Sequence, residues 1–154
     1  MMFSDDDRTF MQNALDLAHR ASSENEVPVG AVLVDGDKIV GKGYNKVIQS
    51  NDVSAHAEII AIRDASNKLG NYRLNGLKMY LTLEPCHMCA KAIVDARIDH
   101  LVFAAKEPKT GSLVSVDNFY NRVNLNHHVS YEHGLLEKES SELLKNFFKD
   151  RRKN

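Results

Sequence analysis

The 154-residue sequence predicts an α/β fold, a three-layer α/β/α sandwich around a mixed central sheet. Three observations predict it. Short β-type runs, VGAVLV, KIVGKGYN, KMYLTL and HLVFAA, alternate with segments of helical period after an opening hairpin. Strands that alternate with helices form a sheet covered on both faces. No internal repeat or low-complexity linker divides the chain, so residues 1–154 read as one domain, large enough to bury its own core.

Each element has a local reason. Ser4 followed by Asp5, Asp6 and Asp7 is a helix start, a capping hydroxyl with acid in the first turn. Phe10, Ala14, Leu17, Ala18 and Ala21 then recur at helical spacing, and Pro28 closes the segment. VGAVLV and KIVGKGYN form a hairpin about the turn Asp35 to Asp37. In its strands, Gly30, Gly41 and Gly43 read as close backbone approaches, since no phosphate-loop pattern follows them. A second helix starts at His56 and runs through Ile59, Ile60, Ile62 and Ala65 to Leu69, with Gly70 as its stop. KMYLTL is a strand, CHMCAKAIVDA a helix and HLVFAA a strand. Lys106 to Asn126 has weak periodicity and reads as a long loop with little regular structure, a length often tied to function. HHVSYE is a short strand, and Leu135 to Arg152 a helix with Leu143, Leu144, Phe147 and Phe148 on one side.

Composition narrows the function classes. Hydrophobic content of 43% with 27% charged residues is that of a soluble globular chain. Apolar runs fall short of the roughly 18 residues that span a bilayer, so no membrane partner is expected. The start, MMFSDDDRTF, is acidic where a secretory leader is basic and then apolar, which points to the cytoplasm. A net charge of −1 carries no global nucleic-acid signature, and the basic ending KDRRKN reads by itself as a solvated helix end complementing the helix dipole.

The only two cysteines, Cys86 and Cys89, stand behind Pro85 at the start of a helix. Residues three apart share a helix face, and the N-terminus favours thiolate. Alone, the pair fits a redox couple, half of a structural zinc site or part of a catalytic metal centre. AHAEI upstream decides among these. His56 and Glu58 lie about 200° apart around a helix, so they converge only at a first turn. Two helix N-termini, one with His56 and Glu58 and the other with the cysteines, then meet at one point. His plus two Cys gives a tetrahedral zinc three ligands and leaves one position for water. Glu58, not a ligand, takes and delivers protons. The pieces match the H-x-E…P-C-x-x-C signature of zinc-dependent nucleobase deaminases.

The likeness extends further. EVPVGAVLV, GYN, AHAEI, NYRL, YLTLEPC, MCAKAI, ARI, LVFAA and KTGS, from about Phe10 to Arg152, resemble the bacterial tRNA-specific adenosine deaminases of the cytidine-deaminase-like superfamily. The resemblance implies hydrolysis of the wobble adenosine in the anticodon stem-loop of a tRNA, usually an arginine tRNA, to inosine. It implies a homodimer with one zinc ion (Zn2+) per subunit, held by His56, Cys86 and Cys89, with Glu58 as proton shuttle. Asn45 corresponds to an asparagine that contacts the flipped-out nucleoside, and the backbone near Val29, Ala57 and Glu84 lines the pocket. Lys106, Lys109, Lys149, Arg151 and Arg152 neutralise phosphates, with Phe147 or Phe148 stacking on a base. Two positions depart from the family pattern: His87 replaces a small apolar residue, and Glu107 replaces aspartate ahead of the KTG loop.

Other candidates carry bland readings. His127 and His128, placed on opposite faces of a strand, and His133 read as surface histidines. His19 and His100 read as structural, His87 as pointing away from the metal, and Asp52 as a turn residue. Phe147 and Phe148 also suit core or dimer packing. The rival functions are deamination of a free base or nucleoside such as guanine or cytosine, and a zinc-stabilised nucleic-acid-binding module without catalysis.

Overall fold

A computed structural model describes residues 3–152; positions 1, 2, 153 and 154, the last two in the basic ending, lie outside the described residues. The sequence folds into helices α1 (Asp5–Ser23), α2 (Val47–Ser50), α3 (Ala57–Leu69), α4 (His87–Asp95), α5 (Phe119–Arg122) and α6 (Glu137–Arg152). The strands are β1 (Gly30–Asp35), β2 (Lys38–Tyr44), β3 (Lys78–Leu83), β4 (His100–Ala105) and β5 (Ser130–His133). The sheet order is β2-β1-β3-β4-β5. β1 runs antiparallel to both β2 and β3, whereas β3, β4 and β5 are parallel, so the sheet is mixed.

Alternation along the strands divides the core into two layers. Ala31 and Leu33 of β1, Met79 and Leu81 of β3 and Leu101 and Phe103 of β4 face one side, against Ala57, Ala61 and Ala65 of α3 and Ala90, Ile93 and Val94 of α4. Val32, Val34, Tyr80, Val102 and Ala104 face the other, against Met11 and Ala14 of α1 and against Leu135 and Leu136, which lead into α6. Both faces are covered, which is why these strands read as nearly unbroken apolar runs.

The caps form as the residues dictate. Ser4 accepts the amide of Asp7, and Asp7 accepts that of Ser4, each at 3.0 Å, a reciprocal capping box. Gly70 ends α3 in the left-handed conformation. The strand glycines have a different purpose. A Cβ on Gly43 would lie 2.6 Å from the Ala61 nitrogen, and one on Gly41 2.7 Å from the Ala61 oxygen. On Gly30 it would lie 2.8 Å from the Ala18 nitrogen. The glycines let α3 and α1 settle directly onto the hairpin backbone.

One expectation needs correction, and two short helices add to the rest. The 106–126 segment is a long loop interrupted by the single turn of α5, and α2 forms where the sequence reading placed no element. One turn has too few residues to show a period, and α2 is held by a partner distant in sequence. The last strand starts at Ser130, so His127 and His128 precede it. His127 Nε2 donates to the Ile98 carbonyl at 2.8 Å instead of alternating across a strand.

Replacing Gly30 with alanine is expected to destabilise the fold by about 2–3 kcal/mol, because the new methyl meets helix backbone that cannot rotate away. Urea midpoints of wild type and variant measure this; equal midpoints would remove the close-approach account.

Candidate active site

The ends of α3 and α4 build the centre of the site. His56 is the N-cap of α3 and Cys86 the N-cap of α4. Each contributes its carbonyl to the first helical hydrogen bond, to Ile60 and Ala90 respectively, but neither side chain caps its helix. The imidazole and the thiol are therefore left for each other. His56 Nδ1 lies 3.7 Å from Cys86 Sγ and 3.4 Å from Cys89 Sγ, and all three donor atoms fall within 4.8 Å of one another.

This donor set fits zinc. A tetrahedral ion about 2.0–2.1 Å from nitrogen and about 2.3 Å from sulfur sets those donors about 3.6 Å apart, between the two separations observed. The protons agree. The Cys86 thiol is pulled down to about 4, first by the hydrogen bond from Cys89 and then by His56, against the effect of its burial. Cys89 is pushed up, first by that same bond and then by burial. His56 is raised, chiefly by its bond to Cys86. The Cys86 thiolate thus sits between two groups that favour keeping their protons, and a divalent cation in place of those protons satisfies all three.

A cavity of about 330 Å³ opens beside these donors, at the small end of the roughly 300–1,000 Å³ typical of ligand pockets. Glu58, in the first turn of α3, lines it together with His56 and Cys86. Its side chain is buried, and burial raises its carboxyl to about 7 against the opposing charge of His56. An ionisable group balanced near neutrality inside a cleft suits proton transfer.

Residues 4–105 match the cytidine and deoxycytidylate deaminase zinc-binding region. Over 150 residues the chain is 45% identical to the tRNA-specific adenosine deaminase of Haemophilus influenzae, covering 97% of this chain and 87% of that protein. Over 145 residues it is 45% identical to the enzyme of the same description from Aquifex aeolicus, covering 94% and 95%. The chain belongs to the tRNA-specific adenosine deaminase family. A solved structure from work on A-to-I editing by tRNA:A34 deaminases superposes with a TM-score of 0.86 at 44% identity, over 88% of this chain and 99% of that one. A guanine deaminase from Nitrosomonas europaea, 22% identical with a TM-score of 0.77 over 96% of this chain and 86% of that one, shares the fold.

Within this deaminase family framework, the structure sorts the remaining candidates. Asn45 and Val29 line the cavity. Asn45 Oδ1 accepts the Ala57 amide at 2.8 Å, which turns its Nδ2 donors to other partners. Ala57 does not line the cavity: its amide is consumed by Asn45 and its side chain is fully buried. Glu84 does line it, but its carboxylate turns into the following loop. Lys109, Phe148, Arg151 and Arg152 gather around a separate cleft of about 600 Å³ between that loop and α6, with Lys145 beside them. Lys106 is exposed but outside that lining. Phe148 is 42% exposed, whereas Phe147 is buried.

His87 turns away from the zinc donors, and its Nε2 meets Asp117 at 2.8 Å. Glu107 accepts the Lys109 amide at 3.0 Å, shaping the turn before the KTG loop. Asp52 accepts from the amide and hydroxyl of Ser54, as a turn residue does. One residue escaped the sequence reading. Glu26 is buried, lines the cavity and accepts the amides of Ile48 at 3.0 Å and Gln49 at 2.8 Å, anchoring α2 as a wall. The available signal was a carboxylate inside EVPVGAVLV, at the edge of an otherwise apolar strand run.

Glu58 has a testable signature. A carboxyl raised from 4.5 to about 7 binds a proton more tightly in the folded than in the unfolded chain. Its contribution to stability is therefore lost as pH climbs through that window. In metal-free protein, the advantage of Glu58→Gln over wild type is expected to grow from about pH 4.5 to 7 and level off near about 3 kcal/mol. Urea unfolding across pH reads it, and a pH-independent difference would contradict a raised carboxyl.

Proposed function

We propose that the chain hydrolyses the wobble adenosine of a tRNA to inosine, with zinc held by His56, Cys86 and Cys89 and protons moved by Glu58. The observation that carries this reading is Glu58, a buried carboxyl raised to about 7 on the cavity that the donors His56 and Cys86 line. A zinc-stabilised module without catalysis gives no reason to bury such a group there. The tRNA assignment draws on relatives 45% identical over nearly the whole chain.

Bound zinc would supply the Lewis acidity that makes water a nucleophile near neutral pH. Glu58 takes one proton from the attacking water and delivers it to the ring nitrogen beside the reacting carbon. It then takes the remaining hydroxyl proton and gives it to the departing amine, so adenosine and water become inosine and ammonia. Asn45, its oxygen fixed by Ala57, offers its Nδ2 donors to the nucleoside. Val29 and Leu83 supply apolar walls that exclude bulk water from the base. An anticodon loop presents this base largely unpaired, which lowers the cost of extruding it.

Outside the pocket, Lys109, Arg151 and Arg152 neutralise loop phosphates and Phe148 offers a stacking face, with Lys106 and Lys149 adding positive charge nearby. The same reading takes residues 1–154 as one deaminase domain working in the cytoplasm on an arginine tRNA, as a homodimer with one zinc per subunit. Exposed Ile48, Val53, Met88, Val114 and Val116 are apolar surface that a second subunit would cover. Among the described residues no helix is long and apolar enough to cross a membrane.

Purified protein offered an arginine-tRNA anticodon stem-loop with a wobble adenosine, and separately adenosine, guanine and cytosine, is expected to make inosine on the RNA alone. Turnover of a free base with none on RNA would overturn the assignment. Glu58→Ala is expected to slow turnover by about 10²–10⁴-fold while zinc stays bound. His56→Ala is expected to lose the metal and the activity together, measured by zinc stoichiometry alongside inosine formation.

A further inference from the structure

Glu84 follows β3 directly and precedes Pro85 and Cys86. Its own amide donates to the Ala105 carbonyl at the end of β4, 2.8 Å away. Its side chain is 2% exposed, and among the described residues no cation pairs with it. Instead the 107–115 loop wraps around it. The amides of Leu113, Val114 and Ser115 donate to Oε2 at 3.0, 2.8 and 3.0 Å, and that of Glu107 to Oε1 at 3.1 Å. The Ser115 hydroxyl also donates to Oε1. Four main-chain donors and a hydroxyl fill the acceptor capacity of one carboxylate.

Two neighbours tighten the latch. Ser112 gives both its amide and its hydroxyl to the Pro85 carbonyl, at 3.0 and 2.8 Å. Gly111 lies against the carboxylate so closely that a Cβ there would overlap it. The loop belongs to no strand; apart from local turns at Glu107 and the Pro85 carbonyl, its amides converge on this one anion. Yet it is the wall that two cavities share, with Thr110 lining the reacting pocket and Lys109 the basic cleft with Phe148.

We propose that Glu84 is a positioning residue for RNA, its carboxylate preforming the 107–115 loop so that Thr110 and Lys109 keep a fixed register between the pocket and the basic cleft. The proposal deepens the tRNA reading and rests on it for its kinetic readout. Without the carboxylate, the loop must be ordered at the expense of binding energy.

In the full chain with zinc bound, Glu84→Gln keeps the size of the side chain but turns a donor toward donors. It is expected to raise KM for the anticodon stem-loop about tenfold, with a smaller fall in kcat. Amide hydrogen exchange across 107–115 should accelerate about tenfold or more, while α3 amides and zinc stoichiometry hold. Gly111→Ala, pressing on the carboxylate from the other side, should give the same pattern, and Ser115→Ala a weaker one. These two variants carry the test if Glu84→Gln does not fold. Unchanged loop exchange overturns the proposal, as does faster exchange with KM unaltered, or zinc loss in step with kcat. If wild type makes no inosine, the function reading fails separately. Stem-loop affinity then decides: weaker binding by the variants supports the latch, and equal or absent binding in all proteins overturns it.

Discussion

Everything at the site depends on two helix N-termini being brought to one point. His56 and Cys86 are both N-cap residues, with extended backbone, and neither spends its side chain on capping. The first amide of α3, on Ala57, donates to Asn45 Oδ1 instead, and the imidazole and thiol are free to face each other across 3.7 Å. The same ends carry the positive pole of each helix, which favours thiolate and carboxylate in the first turn. Cys89 and Glu58 stand in those turns, where the bond to Cys86 raises the first and burial raises the second against that pole. A metal donor set and a proton carrier thus arise from one device used twice.

The sheet keeps that meeting point in register. α3 lies on β2 because Gly41 and Gly43 present no side chain, and small Ala57, Ala61 and Ala65 complete the close contact. α4 is pinned by Tyr120, whose hydroxyl donates to the Ala90 carbonyl at 2.7 Å, and by packing of Ile93 and Val94 in the same layer. The parallel pairing of β3 and β4 carries α4 as the crossover between them, starting where β3 ends. Rigid packing on both helices is what makes a separation of a few tenths of an ångström meaningful for metal binding.

Most of this was legible in the sequence, for identifiable reasons. Long elements announce themselves by period and cap: Ser4 with Asp7 for α1, Gly70 for α3, the apolar runs for β1, β3 and β4. His56 and Glu58 could share a site only at a first turn, which constrained the start of α3 to one place. Features held by distant partners stayed hidden. α2 depends on Glu26, more than twenty residues away, and the 107–115 loop on Glu84; neither dependence leaves a periodic trace. Glu84 illustrates the limit well, since likeness to relatives pointed to its backbone at the pocket while its side chain organises the loop beyond. His127 misled for a related reason: its carbonyl partner on Ile98 belongs to another element.

The grip of Glu26 on α2 has a consequence for how such a pocket can change. The carboxylate holds main-chain amides, so the identity of the side chains on that turn is immaterial to the hold. Val47 and Ile48, which face the cavity, are therefore separable from the fastening that keeps them there. Shape at this wall can drift by substitution while its attachment stays constant. Anchoring and selectivity are written at different positions, and selection can act on one without disturbing the other.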